Sequence, residues 1–141
     1  MSLQRLEERA PHPARDAAIR SIKAIETKDR EGWLKLWHED GVVEDPVGVS
    51  PLDLDGRGHR GIEAITTFYD NVIDSGDVRF HIRESFACGQ ECANVGTITT
   101  RSGDGSVSRC ELVMVYRVDD QGALVSLRAF WEFDELVGAL F

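Results

Sequence analysis

Three short glycine-bearing turns punctuate the second half of the chain: Gly89-Gln90-Glu91, Ser102-Gly103-Asp104-Gly105 and Asp120-Gln121-Gly122. The stretches around them alternate apolar and polar residues, the period of a strand with one buried face. Phe80, Ile82, Glu84 and Phe86 alternate with His81, Arg83, Ser85 and Ala87, and residues 93–101, 106–119 and 124–133 give three further strands. Strands joined by such short turns run antiparallel, so this half predicts a four-stranded meander. The alternation places Phe86 on the same inward face as Phe80 and Ile82.

A sheet with one apolar face has to be covered, and the first half supplies the cover. Ala14, Ala18, Ile22 and Ile25 recur at helical spacing over residues 14–28. Asp29 is placed to cap a second short helix, which carries Trp33, Leu34, Leu36 and Trp37 and runs to about Glu39. Gly41-Val42-Val43-Glu44-Asp45 is β-branched and predicts a short strand, ended by Pro46. Residues 47–60 read as a loop. Residues 61–74 predict a third helix with Ile62, Ile65, Phe68, Tyr69, Val72 and Ile73 on one side. Residues 1–13 hold two prolines and no periodic face, so they read as a frayed lead-in to a single domain over 14–141. The expected fold is α+β: three helices against one face of a curved, largely antiparallel sheet, leaving a closed-end cavity.

The formal net charge is −9, which argues against nucleic acid and anionic membranes as partners. No apolar run approaches the roughly 20 residues that span a bilayer, and the polar start is unlike a signal peptide. A cytoplasmic location is therefore expected, with Cys88, Cys92 and Cys110 as reduced thiols. Cys88-x3-Cys92 has no second ligand pair, so no metal site is expected.

Chemistry concentrates in Val43-Glu44-Asp45-Pro46-Val47-Gly48. Two acids end an otherwise apolar strand, and alternation sends them to opposite faces. A carboxylate facing an apolar hollow loses hydration, which raises its pKa toward that of a proton carrier. The pattern leaves open which acid points inward. It also leaves open a plain alternative, in which both acids are exposed and paired with Arg57 or Arg60.

The string Val42-Val43-Glu44-Asp45-Pro46-Val47-Gly48 resembles the catalytic-base segment of the ketosteroid isomerase-like branch of the nuclear transport factor 2-like superfamily. Gly61-Ile62-Glu63-Ala64-Ile65 with Phe68-Tyr69 is similar to that family's third helix, and Ser126-Leu127-Arg128-Ala129-Phe130-Trp131 to its last strand. The resemblance runs from about Ala14 to Phe133. It implies a cone-shaped, cystatin-like α+β barrel, a small hydrophobic ligand that is steroid-like or polyketide-like, and no cofactor. It also implies Asp45 as proton shuttle, Tyr69 in the pocket network and Trp131 on the pocket wall. Isomerases of this kind pair an aspartate base with an oxyanion hole made of a tyrosine and a protonated aspartate. Here the matching positions hold Ser21, which is short, and Met114, which has no proton to donate.

Substitute donors are Tyr69, Tyr116 and Trp131. Tyr116 shares strand parity with Met114, and Trp131 shares the inward face with Leu127 and Ala129. Three functions follow, in order: a steroid delta-isomerase-like enzyme, a non-catalytic binder of steroids or similar molecules, and a SnoaL-like polyketide cyclase. Epoxide hydrolysis ranks last, because only Asp45 stands out as a pocket acid. His38, His59 and His81, and Asp53 and Asp55, are expected at the surface or in loops. The opposite sheet face carries Glu111, Val113, Val115, Arg117, Arg128, Phe130 and Glu132, and the resemblance implies a homodimer through it.

Overall fold

The computed structural model describes residues 6–138. Helix α1 spans Pro13–Glu26, opened by proline at its first turn and by the His12 imidazole accepting from the Ala14 amide at 3.0 Å. Asp29 caps α2 (Arg30–Leu34) by accepting from the Gly32 amide. Strands β1 (Trp37–Glu44) and β2 (His59–Arg60) precede α3 (Ile62–Asn71) and a 3-10 turn at Ile73–Ser75. The meander follows as β3 (Asp77–Cys88), β4 (Glu91–Arg101), β5 (Val107–Val118) and β6 (Leu124–Phe130). A second 3-10 turn at Phe133–Glu135 leads into β7 (Val137–Gly138).

The strands form one sheet in the order β2-β1-β6-β5-β4-β3, with β7 clipped to β5. Only β1 and β6 run parallel; every other pair is antiparallel. The helices lie against one side, and the sheet curves around them as the expected α+β cone. Ile22, Trp33, Ile65, Phe68 and Leu124 are almost wholly buried between the layers. No helix among the described residues is long and apolar enough to cross a membrane.

Four local features depart from expectation. The second helix stops at Leu34 rather than near Glu39, because pairing with β6 takes the following residues. The Leu36 carbonyl accepts from the Leu124 amide at 2.8 Å, and Trp37 pairs with Leu124. His59-Arg60, placed in a loop by the sequence, pairs with Val42-Val43. Within the expected frayed lead-in, Leu6 is fully buried and the Arg9 guanidinium donates to the Ser85 carbonyl at 3.1 Å. Residues 1–5 lie outside the described residues.

The fourth departure is a bulge in β3. Ile82 faces Gly96, yet Glu84 faces Val95, so β3 carries one extra residue at that point. An extra residue reverses the strand's inward and outward sides. Ile82 and Ser85 are therefore both buried, and Phe86 is turned out to 60% exposure. Phe86 is not a pocket residue, contrary to the simple alternation.

Candidate functional site

A cavity of about 370 Å³ opens between the inner sheet face, the C-terminal ends of α1 and α3, and the turn after β6. Ile25, Val72, Ile73, Phe80, Ile98 and Leu112 give it mostly apolar walls. Asp45 lies among them and is the only carboxylate on the described lining.

Strand geometry decides between the two acids. Glu44, the last residue of β1, pairs with Arg128 of β6, and its carboxylate meets the Arg128 guanidinium at 3.3 Å. Asp45 is the next residue and turns the other way, into the cavity. The Val47 amide donates to the Ala129 carbonyl at 2.9 Å, which pins the chain just beyond it. Trp131, one residue past β6, donates its indole N–H to Asp45 Oδ1 at 2.5 Å. Burial pushes the Asp45 pKa above the ordinary carboxylate range; the Trp131 hydrogen bond and nearby His59 hold back part of the rise. His59 is half-buried on β2, its ring 4.7 Å from that of Phe68.

Other expected site residues divide into two groups. Met114, Tyr116, Leu127 and Trp131 line the cavity. Ser21 and Tyr69 are buried but do not line it. Tyr69 packs on Trp33 with ring centroids 5.2 Å apart, and Ser21 accepts the Trp33 indole N–H at 3.0 Å. Both are tied to Trp33, which does not line the cavity either and which sits where α2 packs against α1 and α3. His38 and His81 are also absent from the lining. Asp53, expected to be solvated, is buried and accepts from the Gly58 amide at 2.7 Å.

Three further residues line the cavity. Phe133 and Leu136 reach the cavity from the turn after β6: Phe133 falls within the strand expected over 124–133, on the parity of Leu127 and Trp131, although β6 ends at Phe130, and Leu136 lies past the alternation. Cys110 lines it from β5, two residues before Leu112, and strand parity was the signal for it. Its thiol is pushed up to about 12 by burial, then by Asp45 and Glu111, so it stays protonated at neutral pH. Among the described residues, no group of His, Cys, Asp and Glu could hold a metal ion.

The SnoaL-like domain family matches residues 18–127. The chain belongs to the SnoaL-like domain family. This SnoaL-like domain is also similar in structure to a Delta 5-3-ketosteroid isomerase from Mycobacterium sp.. That likeness has a TM-score of 0.87 at 34% identity, over 92% of this chain and 100% of the other. The protein RV0760c of Mycobacterium tuberculosis, in complex with estradiol-17beta-hemisuccinate, matches with a TM-score of 0.85 at 32% identity, over 90% and 99% of the two chains. A computationally designed 17-OHP binder matches with a TM-score of 0.86 at 30% identity, over 92% and 100%. The SnoaL-like domain therefore sits in the nuclear transport factor 2-like superfamily beside ketosteroid isomerases, and its fold supports ligand binding or isomerase and cyclase chemistry.

Proposed function

We propose that this domain binds a flat hydrophobic carbonyl compound of steroid type, and that Asp45 carries a proton between two of its carbons. The observation that carries this reading is Asp45 itself, an acid in an apolar cavity with its pKa raised by burial. Asp45 takes a proton from the carbon between the carbonyl and a β,γ double bond. The electron pair moves through the double-bond system onto the carbonyl oxygen. Asp45 then returns the same proton to the far carbon, and the double bond comes to lie next to the carbonyl. Nothing is gained or lost overall, so the step needs only a base and a stabilised oxygen. The Trp131 indole fixes one carboxylate oxygen and leaves the other free to work. A cavity of about 370 Å³ falls within the range of small-molecule sites. The likeness to a ketosteroid isomerase and to two steroid-binding proteins supports the ligand class.

The test is to follow the conjugated-enone absorbance that grows from a Δ5-3-ketosteroid. Asp45→Asn is expected to slow turnover by about 10³-fold, the scale of a lost general base, with ligand affinity within a few-fold. Equal rates in the two proteins would end the proton-shuttle reading. Activity should rise with pH on an acid limb above the ordinary carboxylate pKa of about 3.9, because the ionised form is the base.

A second reading, binding without chemistry, is favoured by Met114, which offers a ligand oxygen no proton. Ligand quenching of tryptophan fluorescence without any absorbance growth supports it.

We also infer a homodimer through the outer sheet face. Half-buried Val113 and Val115 and exposed Phe130 form an apolar strip there, edged by Glu111, Arg117, Arg128 and Glu132. The three free cysteines suit a reducing, cytoplasmic setting.

A further inference from the structure

Proton abstraction beside a carbonyl leaves charge on oxygen, and this chain carries Ser21 and Met114 where the family resemblance expects the two donors. The space between those two side chains is not empty of donors. The Tyr116 hydroxyl reaches to 3.6 Å from Met114 Sδ, and Ser21 lies against the same phenol. Tyr116 is 1% exposed to solvent and lines the cavity beside Met114 and Leu127. Its hydroxyl therefore occupies the region that the absent donors would have served.

The hydrogen bonds behind it have a direction. The Trp33 indole can only donate, and it donates to Ser21 Oγ at 3.0 Å. Ser21 then keeps its own proton to offer, and the Tyr116 phenol is near enough to feel it. Tyr116 turns its own proton toward Met114 Sδ. A thioether is a weak acceptor at that distance, so this proton is poorly committed. Hydrogen bonds aligned in this way polarise one another in a low-dielectric interior, which makes the last donor the strongest.

We propose that the Tyr116 hydroxyl, aligned by a hydrogen-bond chain from Trp33 through Ser21, receives the ligand's carbonyl oxygen in place of the two missing donors. This rests on the reading that the cavity takes a carbonyl compound. The bond that changes partner is O–H···S to O–H···O: the sulfur of Met114 gives way to the ligand oxygen. The proton stays on Tyr116 throughout, since burial and the nearby Asp45 push its phenol well above the ordinary range. Trp33 and Ser21 touch no ligand and are positioning residues.

The test compares two probes in equilibrium titrations: estradiol, whose ring phenol mimics a dienol oxygen, and the same steroid lacking that hydroxyl. The wild type is expected to prefer the phenol by about tenfold or more. Tyr116→Phe should abolish the preference while leaving affinity for the deoxy steroid within about twofold. Ser21→Ala, which keeps Tyr116 in place, should lower the preference several-fold and serves as the readout if Tyr116→Phe does not fold. Turnover by Tyr116→Phe should fall by about 10²- to 10³-fold, mostly in kcat. A preference unchanged in Tyr116→Phe, an equal loss for both probes, or no preference in the wild type would each overturn the proposal. A wild type that prefers the phenol yet turns nothing over removes the proton shuttle and leaves the Tyr116 contact standing.

Discussion

At Asp45 burial and hydrogen bonding pull in opposite directions. Removing the carboxylate from water favours its protonated form, while the Trp131 indole favours the charged one; burial is the larger effect. The folded protein therefore holds this proton more tightly than the unfolded chain does. The associated stability is fully present below the unfolded pKa of about 3.9 and is lost as pH rises through the higher folded value. At neutral pH the unfolded chain carries this charge freely while burial opposes it, so the carboxylate costs the fold stability. Asp45→Asn, which keeps the shape and loses the charge, should be more stable than the wild type at pH 7 by about 1 kcal/mol, or roughly 3 °C in Tm. The gain should shrink as the pH is lowered toward 4. Thermal melts of both proteins across that range measure it, and a wild type that is the more stable at pH 7 contradicts the assignment. Asp45 was legible because a Glu-Asp-Pro string at the end of an apolar strand is rare enough to stand out. Which of the two acids pointed inward was not legible. That followed from the pairing of Glu44 with Arg128, two residues 84 positions apart in the chain.

The bulge in β3 shows what alternation alone cannot reach. Sequence periodicity placed the four strands of the meander, and their turns fell as expected. Nothing in Phe80 to Phe86 announces the extra residue, because its cause lies on the neighbouring strand. Gly96 of β4 faces it, and a side chain there would put Cβ 2.2 Å from the His81 carbonyl oxygen. The missing side chain lets β3 come close and bulge. Gly96→Ala should therefore force the two strands apart, costing about 2 kcal/mol or more and lowering Tm by roughly 5 °C or more. A melt within 1 °C of the wild type would show that the strands adapt without cost. The boundary between α2 and β1 was hidden for a similar reason. Trp33, Leu34, Leu36 and Trp37 suit a helix locally, but Leu124 on β6 draws the later residues into the sheet.

On the scale of the whole molecule, the cone has two apolar sides, one lining the cavity and one facing outward. On the outer side Arg83 ties Thr97 and Glu111 together at 2.6 Å each, and Arg128 lies 5.2 Å over the Phe130 ring. This charged frame around an apolar strip is what a self-complementary interface requires. If this face is the contact, Phe130→Asp, at a position 42% exposed and away from the cavity lining, should give a monomer where the wild type is expected to sediment as a dimer. Sedimentation velocity reads the difference; identical profiles for the two proteins would mean that this face is not the contact. The fold class was legible because helices and strands segregate along the chain. The cavity's far wall was legible only as far as Phe133, on the parity of Leu127 and Trp131, since Leu136 belongs to the stretch past the last alternating residues.

That stretch has a consequence for how the scaffold can vary. Between the pairs Val113–Phe130 and Arg109–Val137, six residues of the last segment stand opposite three of β5, and the ladder then resumes. The detour, half of it a 3-10 turn, is an excursion inserted into an otherwise continuous sheet. Trp131, which holds Asp45, is the first of those six, so residues added or removed beyond it would leave every other strand and the Trp131 contact in register while the size and shape of the ligand chamber change.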